Sequence, residues 1–436
     1  MGFATQRADI SGDRAHRFFG RGLAVVMLVL VGMRYTTGPG MISTAVLAFV
    51  LIPVWLPAVG RYWGMRRLMG IGVCCVISGF WLTELASTDH ETSPSQGIST
   101  SLLLLGALCG TGVILWARQF LPDATVALWF GIGLLASVAL RPQLLAENPW
   151  KFALAVPVTV IVLAVAGRHR HRSAEFGALA ALAGISAFND SRSFTAILLL
   201  TGVLILWAAR PARMTKHRAS TLSVLTMAAL GAAVYNVGTT AALEGYLGAE
   251  AQQRSVEQVE TAGSLILGGR PELGATADLF VHRPWGFGAG TSASPAEVLK
   301  AKSGMAALGY DPNNDYVEKY MFGSGIELHS IIGDLWAWFG LPGAVLAAWG
   351  AWTTLRNLLT RVARREASAL VIFLAVNALW VLLFGPFYSD WPALSLAVGL
   401  LGVPRSPDRA MPAGPARPRM SSTKTSTMHL QSTGSE

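Results

Sequence analysis

The sequence predicts an all-α protein that crosses the membrane many times, in about twelve transmembrane helices. First, 52% of its 436 residues are hydrophobic and only 14% are charged, whereas soluble domains carry about a quarter charged residues. Second, apolar runs close to the roughly 20 residues that a helix needs to cross a bilayer recur along the chain. Third, the basic residues fall in short clusters between these runs. Membrane orientation therefore explains the net charge of +9, and nucleic acid is not expected as a partner.

Twelve apolar runs are candidate spans, and a count of eleven remains open because some of them, notably the seventh and the twelfth, have short apolar cores. The first run is followed directly by others, so we interpret it as a membrane anchor and not as a cleavable signal peptide. In chain order, the candidate spans are residues 20–34, 41–59, 68–86, 99–117, 123–140, 151–167, 174–189, 194–209, 221–238, 329–353, 367–386 and 388–403.

The distribution of basic residues predicts the orientation of these spans. If the N-terminus lies in the cytoplasm, 24 of the 34 basic residues fall in segments on the cytoplasmic side. The short loops on the opposite side then hold only Arg34, Arg141, Lys151 and Arg192. This asymmetry follows the positive-inside rule and predicts that both termini are cytoplasmic.

The same pattern divides the chain into four parts. Residues 1–238 form an N-terminal membrane domain of about nine spans, and residues 329–403 form about three further spans. Between them, residues 239–328 form one long extracytoplasmic loop with weakly amphipathic helical stretches. The tail, residues 404–436, is rich in Pro, Ser, Thr and Arg, a composition that predicts a disordered cytoplasmic segment.

Ionisable residues at the edge of a membrane are candidates for function, and Arg192 is the first of three on the outer side. It lies in the stretch AFNDSRSFTAILLL, where a very short loop leads into the eighth span. The alternative is an interfacial anchor whose guanidinium extends to the lipid headgroups.

Arg270 is the second candidate, in the stretch LILGGRPELGATADLFVHRPWGFGAG. The glycines at 286, 288 and 290 could form a turn whose amides hold an anion. The spacing alone is weak evidence, and no strand–helix unit surrounds it as in a dinucleotide-binding fold. A purely structural turn is the alternative, and it is favoured for the glycines taken alone.

His329 is the third candidate, in the stretch GIELHSIIGDLWAWFG, with Glu327 before it and Asp334 after it. The alternative is a helix cap or an interface residue. However, His329 faces the same compartment as Arg192 and Arg270. Two arginines offer planar forks for phosphate oxygens, and a histidine accepts a proton near neutral pH. Together they suit a pyrophosphate leaving group and a hydroxyl nucleophile.

These motifs resemble those of the O-antigen ligase and polymerase family of bacterial membrane glycosyltransferases. The order of the motifs and their shared outer side strengthen the likeness, which extends over roughly residues 185–350 and, through the twelve-span layout, over most of the chain. The matching positions are Ser191-Arg192; Gly269-Arg270 through Pro284, Gly286 and Gly288; and His329-Ser330 through Gly340 and Gly343.

The resemblance implies a GT-C-like helical fold in the bacterial inner membrane, acting on the extracytoplasmic side without a metal ion or cofactor. The donor would be a glycan on undecaprenyl diphosphate. The acceptor would be a lipid A core sugar for a ligase, or the next repeat unit for a polymerase. Carried onto this chain, Arg192 and Arg270 bind the diphosphate, and His329 is the catalytic base. Ser191, Gly286, Gly288 and Glu327 support them.

Three alternatives to a ligase remain at this point. A repeat-unit polymerase has nearly the same motifs. A transporter would show paired broken helices in two repeated halves, and the sequence has no such symmetry. A purely structural membrane scaffold would leave the three polar motifs on the outer side without an explanation.

Overall fold

The protein is all-α in the computed structural model, which describes residues 2–34, 43–168, 171–208, 216–246, 248–323 and 325–405. No strand occurs in these ranges, where only two isolated bridges join extended residues, Tyr62 with Pro404 and Thr92 with Thr291. The predicted fold class is therefore confirmed at the level of helices. The predicted tail lies outside the described residues, apart from its first two positions.

The helices are numbered in chain order. Three shorter helical turns accompany them, of 3-10 type at Pro142–Leu145 and of π type at Trp150–Leu154 and Val317–Met321. The α-helices are α1 (Gly2–Met33), α2 (Ser43–Val50), α3 (Ile52–Val59), α4 (Met65–Ala86), α5 (Pro94–Ala117), α6 (Asp123–Ala139), α7 (Ala155–Arg168), α8 (Arg172–Phe188), α9 (Arg192–Ala208), α10 (Lys216–Leu243), α11 (Ala249–Ala262), α12 (Leu265–Gly268), α13 (Glu272–His282), α14 (Pro295–Ala306), α15 (Ile331–Ala363), α16 (Ala369–Phe384) and α17 (Phe387–Leu401).

Where the structure describes them, all the candidate spans lie mainly on helical residues, and one of them is broken. The second span, residues 41–59, forms the two short helices α2 and α3, which meet at Leu51. Pro53 explains the break, because a proline lacks the backbone N–H of a helix interior and its ring collides with the carbonyl four residues earlier.

Within the described ranges, four helical segments are long and apolar enough to cross a membrane: α4, α5, Trp150–Arg168 and α15. Five shorter apolar helical segments accompany them, namely Phe18–Met33, Asp123–Ala139, Arg192–Ala208, Ala229–Leu243 and Ala369–Phe384. The described helices therefore fit a membrane protein by length and composition. The count of twelve spans stays a prediction.

Helix α5 lies at the centre of the bundle and packs against α1, α2, α3, α4 and α17. Small residues on α5 allow close packing, as at Gly112, which the Trp55 ring covers. Helix α15 packs against α4, α16 and α17. The long loop ends just before α15 begins, so the packing of α15 determines where the loop enters the bundle.

At one end of the bundle, Asp123 joins two arginines. The Asp123 carboxylate accepts hydrogen bonds from Arg118 Nε at 2.8 Å and from Arg361 Nη1 at 3.1 Å. Both arginines also donate to backbone carbonyls at the C-terminal end of α17. We refer to Arg118, Asp123 and Arg361 as the inner cluster, because they lie on the side predicted to be cytoplasmic.

At the other end, the chain folds back between α4 and α15 through residues 284–292. The N–H groups of Phe287 and Gly288 donate to the Ala337 carbonyl at 2.8 and 3.1 Å. The Ala289 N–H donates to the Gly79 carbonyl at 3.2 Å. Helix α15 is interrupted near this contact, at Gly340, whose φ is 66°. Irregular backbone is thus enclosed by two apolar helices that satisfy its polar groups, as a membrane requires.

Candidate functional site

His329 lies in a tight turn just before α15, and the turn is held in place from two sides. Its backbone has a φ of 51°, which side-chain-bearing residues rarely adopt. The next residue, Ser330, caps α15 by accepting a hydrogen bond from the Gly333 N–H. On the preceding side, the Leu328 N–H donates to the Asp334 carboxylate at 2.6 Å. These contacts fix the direction in which the imidazole leaves the backbone.

Asp334 is 1% exposed and connects this turn to a second one. Its other carboxylate oxygen accepts a hydrogen bond from the Phe387 N–H at 2.8 Å, at the start of α17. One buried carboxylate therefore ties the His329 turn to the first turn of α17. It aligns two loops that come from different parts of the chain.

The ring of His329 lies in a partly buried environment that favours its neutral form. Burial lowers the pKa of His329, and Arg270 lowers it further, while Glu272 and a hydrogen bond with the Glu327 backbone oppose the shift. The Tyr316 ring lies against it, with 5.8 Å between the ring centroids. Nδ1 is buried without a hydrogen-bond partner. A neutral imidazole with a free nitrogen is a proton acceptor.

Arg270 lies beside this histidine, at the start of α13. Two residues later, the Glu272 carboxylate accepts a hydrogen bond from the Tyr316 hydroxyl at 2.9 Å. Burial raises the pKa of the Tyr316 phenol, Glu272 raises it further, and Arg270 partly offsets both effects. Arg270 itself forms no ion pair within the ranges that the structure describes. Its charge thus acts on the tyrosine and on the histidine without being neutralised.

Two more charged residues reach this group from other helices. Asp390, in the first turn of α17, interacts electrostatically with both Arg270 and Arg34. Arg34 follows α1 directly, and its Nη2 donates to the Tyr388 carbonyl at 2.6 Å. The ends of α1, α13 and α17 therefore converge on the turn of His329. We refer to Arg34, Arg270, Glu272, Tyr316, His329 and Asp390 as the outer cluster.

Arg192 has different neighbours. Its Nη1 donates to the Ser255 hydroxyl on α11 at 3.2 Å, and its Nε lies 3.7 Å from the Asp190 carboxylate. Helix α11 packs against α12, which ends just before Arg270. The structure thus brings Arg270 and His329 together and places Arg192 beside the same loop, without a contact between the two arginines. A shared anion for Arg192 and Arg270 stays a prediction.

The glycine turn is occupied by the protein itself. Gly286 has a φ of 87° and Gly288 a φ of 112°, and a Cβ atom at these positions would collide with Trp336 and Thr83, respectively. The amides of residues 286 to 290 all donate to atoms of the protein. This geometry corresponds to the structural turn and leaves no open nest for an anion.

The two remaining supporting positions act through the backbone. Ser191 is buried, and its carbonyl accepts hydrogen bonds from the N–H and the hydroxyl of Thr195 in the first turn of α9. The Glu327 N–H donates to the Met321 carbonyl at 2.7 Å. Glu327 therefore shapes the segment that precedes the catalytic candidate His329.

A further polar group fastens the loop to the bundle. The His90 ring lies between two carboxylates, with Nδ1 2.7 Å from Asp89 and Nε2 2.8 Å from Glu297 on α14. Arg283 also pairs with Asp89 at 3.0 Å. The hydrogen bond with His90 and, next, that with Arg283 lower the pKa of Asp89. This group connects the turn between α4 and α5 with the end of α13 and with α14. It therefore attaches this part of the loop to the bundle.

Asp334 and several residues of the outer cluster were not among the sequence candidates. Asp334 follows His329 by five residues. Nothing in the sequence shows that its carboxylate is buried and accepts hydrogen bonds from two backbone amides. Asp390 could have been identified from the sequence as a candidate functional residue, because it is a carboxylate in an apolar run. Arg34 entered only the orientation argument. Tyr316 gave no signal, because its place depends on the folding of the loop.

The outer cluster combines a neutral histidine, guanidinium groups and carboxylates around one turn, an arrangement that can accept a proton and bind an anion. Among the described residues, no group of three or more His, Cys, Asp or Glu side chains is arranged to hold a metal ion. Comparison with known proteins finds no matching family model, no matching curated protein and no matching solved structure.

Proposed function

We propose that the protein is a membrane glycosyltransferase of the O-antigen ligase type, which moves a glycan from an undecaprenyl diphosphate carrier to a hydroxyl group. The observation that carries this proposal is the position of Arg270 beside His329, whose neutral ring keeps a buried nitrogen without a partner. A neutral imidazole takes up a proton near neutral pH, and a guanidinium binds phosphate oxygens through its planar fork. Glycosyl transfer from a diphosphate uses a proton acceptor and a positive charge near the leaving group, and these two residues can supply them.

In this reaction, the acceptor hydroxyl attacks the sugar carbon that is bonded to the diphosphate. The new carbon–oxygen bond forms as the bond to the diphosphate oxygen breaks, and its electron pair leaves with the diphosphate. His329 takes the hydroxyl proton. Arg270 and, following the family pattern, Arg192 stabilise the negative charge that grows on the leaving group. The resemblance implies that no metal takes part, so these arginines supply the positive charge.

The proposed topology has twelve spans in the bacterial inner membrane, both termini in the cytoplasm and the loop of residues 239–328 outside. The placement of basic residues supports it. Lys300→Cys, in a chain whose three cysteines have been replaced, tests it, because Lys300 is exposed on α14. We expect an impermeant maleimide to label this cysteine in spheroplasts with an intact inner membrane. Arg61→Cys, on the opposite side, should react only after permeabilisation; the reverse pattern would reject the topology.

Deleting the gene tests the function and separates the two members of the family. A ligase transfers finished chains, so its loss should leave long glycans attached to the lipid carrier. A polymerase joins repeat units, so its loss should leave single units on the carrier. An unchanged pool of lipid-linked glycan, with normal surface polysaccharide, would contradict both activities.

A further inference from the structure

Arg34 is a buried arginine that the proposed reaction has not yet used. It is only 8% exposed, and its backbone φ is 50°. Two of its nitrogens donate to the carbonyls of Tyr388 at 2.6 Å and Ser389 at 3.3 Å. Its guanidinium also lies 5.0 Å from the centre of the Tyr388 ring and 5.7 Å from that of Trp391. The side chain is thus held in one position at the outer end of α1.

The guanidinium nevertheless keeps unused binding capacity. Arginine has five N–H donors, and Nε of Arg34 is buried with no hydrogen-bond partner. No carboxylate within the described ranges forms an ion pair with it. A buried charge without a partner is costly, so a conformation that keeps one calls for an anion that completes it.

The surrounding charges are also out of balance. Arg34 shares the influence of a single carboxylate, Asp390, with Arg270. Arg141 adds another positive charge close enough to act on Arg34. Guanidinium groups from three separate segments therefore act on this part of the site, where Asp390 and Glu272 offset part of their charge. Such a region attracts an anionic ligand and is stabilised when one binds.

We propose that Arg34 is a binding residue for the anionic part of the donor and acts together with Arg270. The diphosphate would lie between the outer end of α1 and the start of α13, over the first turn of α17. This inference depends on the proposed function, because it assigns a second contact to the diphosphate of the same donor. It adds a residue at the end of the first helix to the donor contacts already assigned to Arg192 and Arg270.

The competing explanation is that Arg34 only ties α1 to α17 through the two carbonyls. The inner cluster provides a matched control for that role. Arg361 is 7% exposed and likewise donates to carbonyls of α17, but Asp123 neutralises its charge. Replacing either arginine by glutamine removes a buried charge and carbonyl contacts. Only the change at Arg34 removes a proposed ligand contact.

Binding of geranyl diphosphate, a soluble isoprenyl diphosphate, to the full chain in lipid nanodiscs tests the inference. Isothermal titration calorimetry should show that Arg34→Gln weakens binding about tenfold or more, the loss expected for one hydrogen bond to a charged group. Arg34→Lys should weaken it less. Arg361→Gln should bind within about twofold of the unmodified protein, although it lowers thermal stability.

The outcomes separate the two proposals. If the unmodified protein does not bind geranyl diphosphate, the proposed function fails, and this inference fails with it. If the unmodified protein binds but Arg34→Gln binds equally well, only the role of Arg34 is overturned. Should Arg34→Gln not fold, Arg34→Lys decides, because it keeps the charge but loses the Nε donor and the planar fork. Unchanged affinity in that variant would leave Arg34 as a structural tie.

Discussion

Buried arginines occur at both ends of the helical bundle, and the two ends differ in how the protein meets their charge. In the inner cluster, Arg118 and Arg361 share the carboxylate of Asp123 and donate further hydrogen bonds to the end of α17. In the outer cluster, Arg34 and Arg270 have no carboxylate within ion-pair distance among the described residues. His329 and Arg34 there each keep a buried nitrogen without a partner.

The difference separates a structural role from a candidate functional one. Leaving a buried donor or acceptor unsatisfied costs about 1–3 kcal/mol. A fold optimised for stability alone would therefore pair its buried arginines with a carboxylate, as the inner cluster does. Charges that stay partly unmet are available to a ligand, and perturbed groups of this kind gather at functional sites. The comparison therefore predicts that substitutions at the outer end reduce transfer, whereas those at the inner end reduce stability.

The largest effect is expected at His329. His329→Gln keeps a polar side chain but removes the proton acceptor, so glycan transfer should fall about 10²–10⁴-fold, the usual contribution of a positioned base. Donor binding should change little, because the imidazole acts on the acceptor. Transfer assays at matched protein levels measure this, and His282→Gln, at an exposed histidine on α13, is the control. Near-normal transfer by His329→Gln would leave the residue with a structural role only.

Arg270 should follow, with an effect on both binding and rate. Arg270→Ala should lower transfer about 10²–10³-fold, the cost of removing one donor that stabilises a growing negative charge. Arg270→Lys should not restore it, because an ammonium lacks the two-pronged fork. Comparing both variants in one assay tests the fork. Full activity of the lysine variant beside an inactive alanine variant would mean that a point charge suffices.

Asp334 should have a smaller effect, because it acts through the position of His329. Asp334→Asn can accept a hydrogen bond from only one of the amides of Leu328 and Phe387, so the two turns lose one connection. We expect transfer to fall about tenfold and the free energy of unfolding to fall by about 1–3 kcal/mol. A kcat that drops while the KM for the donor holds would mark a positioning role. If the free energy of unfolding falls as expected but kcat does not change, Asp334 has a structural role only.

The inner cluster should behave in the opposite way. Asp123→Asn leaves two buried guanidinium groups without their carboxylate, a change that typically costs about 3–5 kcal/mol of stability. The transfer rate per folded molecule should stay within about twofold. Thermal unfolding and transfer assays on the same preparation measure the two effects. A large loss of rate in folded Asp123→Asn would remove the distinction between the two ends.

The smallest effect concerns pH. His329 must be neutral to accept a proton, so kcat/KM should fall as the pH drops through its pKa, which burial places below the usual value of about 6.5. Glu272 opposes that shift. Glu272→Gln removes the opposing negative charge and should move the acid limb of the profile to still lower pH. A shift to higher pH would assign the limb to another group.

The sequence was sufficient to predict the helices, because apolar runs bounded by charged residues determine where a membrane helix can lie. For this reason, the described residues of all candidate spans are mainly helical. The break at Leu51 was also readable, since Pro53 interrupts the run. What the apolar pattern does not determine is the length of each helix beyond the apolar run, as α1 and α15 illustrate.

The candidate site was predictable only in part. His329 and Arg270 were visible as charged residues at membrane edges, but their association depends on how the long loop folds back. The same holds for Tyr316, which reaches Glu272 from 44 residues away. Arg34 comes close to Asp390 because it donates hydrogen bonds to the backbone of Tyr388 and Ser389, more than 350 residues away. Such distant pairings are set by tertiary contacts, and a single sequence carries no record of them.

The segment of residues 284–292 has a consequence for the order in which the protein is assembled. Gly290 donates to Thr83 Oγ1 across 207 residues of sequence. At a synthesis rate of about 5–20 residues per second, this segment is synthesised about 10–40 s after the part of α4 that it packs against. Until the segment and α15 have been synthesised, the face of α4 that they cover has no partner from either of them. The packing of this segment between α4 and α15 is therefore a late event in folding, after most of the helices have been synthesised.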